Sequence, residues 1–190
     1  MTKSEYSLLL RRIQDVASKR GSAIIAIDGR CGSGKTTLAE QLKKDLNCNV
    51  FHMDDFFLRP EQQTPARLSC PGENIDHERF LSEILLPLQD LQPFSYQPYR
   101  CKEFKLGTPV QVAVNQINVI EGVYACHSAL WRYYDLRIFL SVTPEEQMQR
   151  INRRNRPKTA ARFFEQWIPL EESYFKSFNI ASRCDLRLHG

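Results

Sequence analysis

Apolar residues recur along the start of the chain at the spacing of a helix. Leu8, Leu9, Ile13, Val16 and Ala17 share one face, which predicts an amphipathic helix over residues 4–18, broken by Gly21. The next apolar stretch, Ala23-Ile24-Ile25-Ala26-Ile27, is continuous and reads as a strand running to about Asp28. A helix over about 35–46 and a second apolar run, Asn49-Val50-Phe51-His52-Met53, complete a βαβ unit. Residues 57–75 hold Pro, Gln, Arg and Gly with no sustained period, so they predict a long surface loop of the kind that carries substrate contacts.

From Asp76 the period is helical again. Phe80, Leu81, Ile84, Leu85 and Leu88 line one face, with Pro87 expected to bend or end the helix. Residues 94–114 alternate more like strands and predict a small antiparallel excursion. Ile117–Ile120 and Leu136–Leu140 are further strands. After Thr143-Pro144 a helix begins with a threonine cap, proline at its first position and Glu145-Glu146 in its first turn. A last long helix over about 159–178 precedes a short strand near 185–188. Strands alternating with helices in this way predict a three-layer α/β sandwich around a mostly parallel sheet, formed by one domain over residues 1–190.

Composition narrows the class without changing that picture. Hydrophobic residues make up 42% and charged residues 25% of the 190, as in ordinary globular domains. No apolar stretch approaches the roughly 20 residues that span a bilayer, and Met1–Glu5 opens no apolar signal segment, so a cytoplasmic location without a membrane partner is expected. The six cysteines include no Cys-x-x-Cys pair and are expected as free thiols. Net charge is +4, and much of the excess lies in Arg150, Arg153, Arg154, Arg156 and Lys158. So short a stripe suits a lid over a triphosphate, at about 150–160, or a solvated helix end, and argues against a nucleic-acid partner.

The chemistry concentrates after the first strand. Gly29-Arg30-Cys31-Gly32-Ser33-Gly34-Lys35-Thr36 is a complete Gly-x-x-x-x-Gly-Lys-Ser/Thr phosphate cradle. Its glycines permit a turn of inward-facing amides, Lys35 brings a cation to the β and γ phosphates, and Thr36 is placed to ligate magnesium. The helix opening at Thr37 aims its N-terminal dipole at the same anion. In an open parallel sheet, ligands bind beyond the carboxyl ends of the strands. Asp54-Asp55 follows the second strand and Glu121-Gly122 the next. Asp54 is therefore the candidate general base, with turn capping as its competing role. Glu121 is the candidate partner of magnesium, with a surface turn as its alternative. His52 at a strand end reads as packed and hydrogen-bonded.

The segments IAIDGRCGSGKTTLA (24–39), FHMDDFF (51–57), NIDHERF (74–80), PYRCKEF (98–104), VIEGVY (119–124) and DLRIFLSVTPEEQMQRINRRN (135–155) together resemble the uridine kinase and phosphoribulokinase-like family of P-loop kinases. The resemblance covers about four fifths of the chain. It implies a P-loop NTPase fold with a helical lid, ATP and Mg2+ as cofactors, and transfer of the γ-phosphoryl group to a small-molecule hydroxyl, a uridine- or cytidine-like 5′-hydroxyl first. It further implies Asp54 as the base, Asp76 and His77 beside the nucleoside, Tyr99 and Arg100 in the acceptor segment, and Arg150, Arg153 and Arg154 closing over the phosphates. The chain departs from the family at Glu78-Arg79, where Pro-Asp is usual, and at Arg100, where Asp is usual. Both departures fall where the acceptor is recognised, so pantothenate, a sugar or a nucleoside monophosphate stands as a rival acceptor, and a non-catalytic nucleotide-binding protein as a rival class.

Overall fold

The continuous apolar run at 23–27 becomes the centre of a sheet. In the computed structural model, which describes residues 1–190, helix α1 (Lys3–Arg20) is closed at its start by a capping box between Thr2 and Glu5 and at its end by left-handed Gly21. Strand β1 (Ala23–Gly29) follows with every residue buried, then α2 (Lys35–Leu46) and β2 (Asn49–His52). After a stretch holding one short helix, α3 (Pro65–Leu68), come α4 (His77–Phe80) and α5 (Leu86–Asp90), and four short strands, β3 (Phe94–Tyr96), β4 (Tyr99–Arg100), β5 (Lys105–Leu106) and β6 (Val110–Val112). The chain returns to the sheet with β7 (Ile117–Glu121) and β8 (Leu136–Ser141). Helices α6 (Pro144–Arg154), α7 (Pro157–Arg162), α8 (Ile168–Ser177) and α9 (Ile180–Arg183) precede the last strand, β9 (Leu186–His189).

The sheet order is β2-β7-β1-β8-β9, parallel throughout. Alternate residues of its central strands feed two cores, which is why those strands read as unbroken apolar runs. Ile25, Ile27, Val119 and Ile138 pack on Leu9 and Ile13 of α1 and on Leu38 and Leu42 of α2. Ile24, Ala26, Ile120 and Phe139 pack on Phe80, Ile84, Tyr174 and Phe175 from the other side. These are the three expected layers. The antiparallel excursion is present as well, with β3 paired to β6 and β4 to β5.

Two expectations are refined by the structure. Residues 57–75 are more ordered than a bare surface loop: Phe57 and Ile75 form a β-bridge, and Arg67 donates to the Glu73 and Ile75 carbonyls and pairs with Glu78 at 2.6 Å. One guanidinium supplies this stapling, and hydrophobic periodicity does not register it. Pro87, for its part, does not end its helix. A π turn, Leu81–Leu85, stands just before it, and another, Phe163–Trp167, stands in the same relation to Pro169. Proline deletes an N–H and presses on the carbonyl four residues back. A π turn takes up one extra residue and relieves both conflicts, so the helical path continues to Asp90 and to Ser177.

β1 and β8 approach too closely at their carboxyl ends for any side chain at Gly29. Its φ is +138°, and a Cβ there would fall 2.0 Å from the Leu140 carbonyl oxygen. This glycine lets the strand run straight into the phosphate loop.

Candidate nucleotide and acceptor site

The loop after β1 turns back on itself through a Ser33 amide bond to the Arg30 carbonyl at 3.1 Å. Helix α2 then starts from left-handed Gly34 with no side-chain cap, which leaves its first amides facing the loop. Lys35 is only 7% exposed, and its ammonium donates to the carbonyl oxygens of Gly29 at 2.7 Å and Arg30 at 2.9 Å. Both partners are neutral. A buried ammonium so placed is completed by an anion, and the fully buried Ser33 hydroxyl beside it has no hydrogen-bond partner. Triphosphate fits this cradle.

Next to it, β2 and β7 are neighbours with His52 opposite Glu121. Thr36 donates to Glu121 Oε1 at 3.1 Å, and His52 Nδ1 lies 2.6 Å from the same oxygen. That hydrogen bond chiefly raises the His52 pKa, against the opposing pull of burial. The hydroxyl and carboxylate read from the sequence as magnesium partners are thus in contact, and such hard oxygens suit that ion. His52 is hydrogen-bonded, as expected, and its partner is Glu121.

Asp54 sits in the tight turn Met53–Phe56 directly after β2. Its side chain is exposed at the surface and takes no hydrogen bond from the protein. Desolvation by the surrounding protein, then the charge of Glu121, push its carboxyl above the ordinary range, while Lys35 and His52 pull it down. Asp55 is raised in the same way, with Arg100 and Arg79 among the opposing charges.

The remaining residues divide. Arg150 donates to the Gly32 and Gly190 carbonyls, each at 3.1 Å. Together with exposed Arg153 and Arg154 and with Gly32, Ser33, Gly34 and Thr37, it lines a cavity of about 890 Å³. The structure therefore brings the arginine stripe onto the phosphate loop. Asp76, in contrast, is 2% exposed and has both oxygens occupied, one capping α4 at the Arg79 amide and the other accepting from Gln62. His77 stacks on His127 with ring centroids 4.3 Å apart. Tyr99 is buried at the base of its hairpin, and Arg100 is exposed beside it. Arg30 turns away from the loop to pair with Glu172 at 2.6 Å.

Sequence reasoning missed the layer beneath the loop. Asp28 accepts from the Gly29 and Cys126 amides and from the Tyr174 hydroxyl, and burial outweighs these bonds to push it up to about 6. Glu171 accepts from the Cys31 amide at 3.0 Å, and burial raises it from its usual 4.5 to about 7. The acid at the end of an otherwise apolar strand was a visible signal for Asp28. Nothing local marks Glu171, which lies 140 residues from its partner.

Glu171 gives a pH prediction. Its folded pKa exceeds the unfolded one, so the native state holds the proton more tightly. The resulting stability is complete below about pH 4.5 and is lost as pH rises through 7. Glu171→Gln keeps an oxygen for the Cys31 amide. It is therefore expected to match the parent near pH 4 and to exceed it at pH 8 by on the order of 1–3 kcal/mol. Thermal melts at the two pH values check this, and a variant less stable at pH 8 contradicts it.

Comparison with known proteins agrees with this geometry. The AAA domain family matches residues 25–168. The chain is similar to uridine-cytidine kinase C of Dictyostelium discoideum, 26% identical over 147 residues, which are 72% of this chain and 31% of that protein. It is also similar to nicotinamide riboside kinase 2 of Mus musculus, 32% identical over 145 residues, 72% of this chain and 68% of that protein. The chain thus spans 31% to 68% of the length of these two relatives. In fold it is similar to a possible uridine kinase from Bacillus stearothermophilus, with a TM-score of 0.66 at 20% identity, covering 95% of this chain and 98% of that one.

Proposed function

Because the chain belongs to the AAA domain family and to its uridine kinase-like P-loop kinases, we propose that it transfers the γ-phosphoryl group of ATP to a small-molecule hydroxyl, the 5′-hydroxyl of a nucleoside first. The observation that carries this reading is a buried Lys35 ammonium bonded only to carbonyls at the end of β1, and, across β7 at the end of β2, an Asp54 carboxylate that the protein leaves unbonded. The ammonium and the loop amides hold the β and γ phosphates. Asp54 accepts the hydroxyl proton as the acceptor oxygen bonds to the γ phosphorus and the bridge to the β phosphate breaks, releasing ADP. Thr36 and Glu121 would hold magnesium, which supplies charge neutralisation across the phosphates. Arg150, Arg153 and Arg154 add positive charge over the cavity at Gly32–Gly34, and their closing over the phosphates would exclude the water that otherwise hydrolyses ATP.

The relatives' names favour a nucleoside acceptor, since uridine, cytidine and nicotinamide riboside are all ribosides. His77, Tyr99 and Arg100 belong to the segments that would choose among such acceptors. Asp76 would act there by holding α4 in place. A coupled ADP-release screen over nucleosides, nucleoside monophosphates, sugars and pantothenate tests the reading. A nucleoside is expected to stimulate release. Stimulation by a different class reassigns the acceptor. Tight ATP binding with no release under any acceptor makes the chain a nucleotide-binding protein instead.

A further inference from the structure

Away from the cavity over the phosphate loop, three ligating side chains meet where the segment before α4 touches the loop after β7. His77 Nε2 lies 3.2 Å from both oxygens of Glu73, and His127 Nε2 lies 3.6 Å from Glu73 Oε1. All three ligand atoms fall within 4.8 Å of one another. We propose that Glu73, His77 and His127 bind a divalent first-row transition-metal ion, of which zinc is the probe, and that the ion clamps residues 72–77 to the loop following β7.

His127 points to a ligand independently of that clustering. Its ring is 3% exposed, yet Nε2 has no hydrogen-bond partner. A buried polar atom left unpaired is uncommon and calls for an explanation, of which a bound ion is one. The spacing suits a cation: ligands of a tetrahedral zinc at its usual bond lengths stand about 3.3–3.5 Å apart. Glu73 is held for the purpose, because Arg67 approaches its other oxygen at 3.4 Å and takes its main-chain carbonyl. Gly72 permits the close approach, since a Cβ at its φ of +86° would sit 3.0 Å from His127 Cδ2. Two imidazoles with one carboxylate favour zinc, iron or cobalt over magnesium.

Loading asks for two small adjustments. The Ala129 amide donates to His127 Nδ1 at 3.3 Å, which places the ring proton on Nε2, facing Glu73 without reaching it. A cation occupies that point, the proton moves to Nδ1, and the long Ala129 contact opens. The two rings are also nearly parallel, 15° apart, so half-buried His77 must tilt to turn its lone pair toward the ion. Glu73, 28% exposed at its side chain, gives the route of entry.

The test uses the full chain, stripped with chelator and free of nucleotide, titrated with cobalt(II) and zinc(II). One equivalent of cobalt is expected, with visible absorption that zinc abolishes. Glu73→Gln and His77→Asn should each weaken zinc binding at least tenfold. His127→Asn should eliminate it. His77 is partly exposed, so its variant keeps the test valid if His127→Asn fails to fold. Zinc uptake no greater in the parent than in folded His77→Asn overturns the proposal, and the readout is metal content and absorption, independent of phosphoryl transfer.

Discussion

Asp54→Asn is expected to bind ATP within about twofold of the parent and to lose about 10²–10⁴-fold in kcat, the usual contribution of a positioned general base. Asparagine keeps the size of the side chain and an oxygen that can accept a hydrogen bond from the incoming hydroxyl. It cannot take the proton. Since the parent carboxylate takes no hydrogen bond from the protein, the exchange strands no buried donor, and folding should be little affected. The effect then falls on kcat with the KM for ATP held, the signature of an interaction made in the transition state alone. A pH profile adds a second readout. The base works only when ionised, so activity falls as pH drops through a pKa lying above the ordinary carboxylate range. That acidic limb should vanish in the variant. Near-parental turnover would remove Asp54 from this role.

Lys35→Ala should fail differently. The ammonium is a buried cation bonded to two carbonyls of the loop, and its loss takes charge from the β and γ phosphates before and during transfer. ATP affinity and turnover are expected to drop together, with kcat/KM lower by about 10²–10³-fold. The free chain should melt near the parental temperature, because removing a buried charge offsets the two carbonyl bonds it made. Ligand stabilisation depends on affinity, so the rise in Tm that ATP and magnesium give the parent should largely disappear. An undiminished rise would place the triphosphate elsewhere.

The two substitutions probe the part of the molecule most legible in its sequence. β1, the phosphate loop, α2 and β2 are consecutive, and each has a local cause: an unbroken apolar run, three glycines, a helical period, a second apolar run. Asp54 and Glu121 could be placed because chain direction in a parallel sheet sends every strand's carboxyl end to one edge. What stayed hidden depends on partners distant in sequence. Tyr174 reaches Asp28 across 146 positions, and Glu172 reaches Arg30 across 142. Asp76 shows the converse. Its place before a helix marks an N-cap as readily as a substrate ligand, and only the fold reveals that Gln62 takes its second oxygen. The π turns are invisible for another reason: nothing in the composition around Pro87 or Pro169 separates a widened turn from a broken helix.

The ties between the phosphate loop and the last helices limit how the arginine segment can move. Gln147, near the start of α6, donates to the Cys31 carbonyl, and Arg150 to that of Gly32. On the far side Glu171 and Glu172 at α8 hold the Cys31 amide and Arg30. Both ends of the α6–α8 arm are therefore moored to one short turn, and the slack lies between, around the break at Asn155-Arg156. Closure here would be the flexing of a strap of about twenty residues, between Arg150 and Glu171, and tension on that strap would be felt directly by the amides that would cradle the nucleotide.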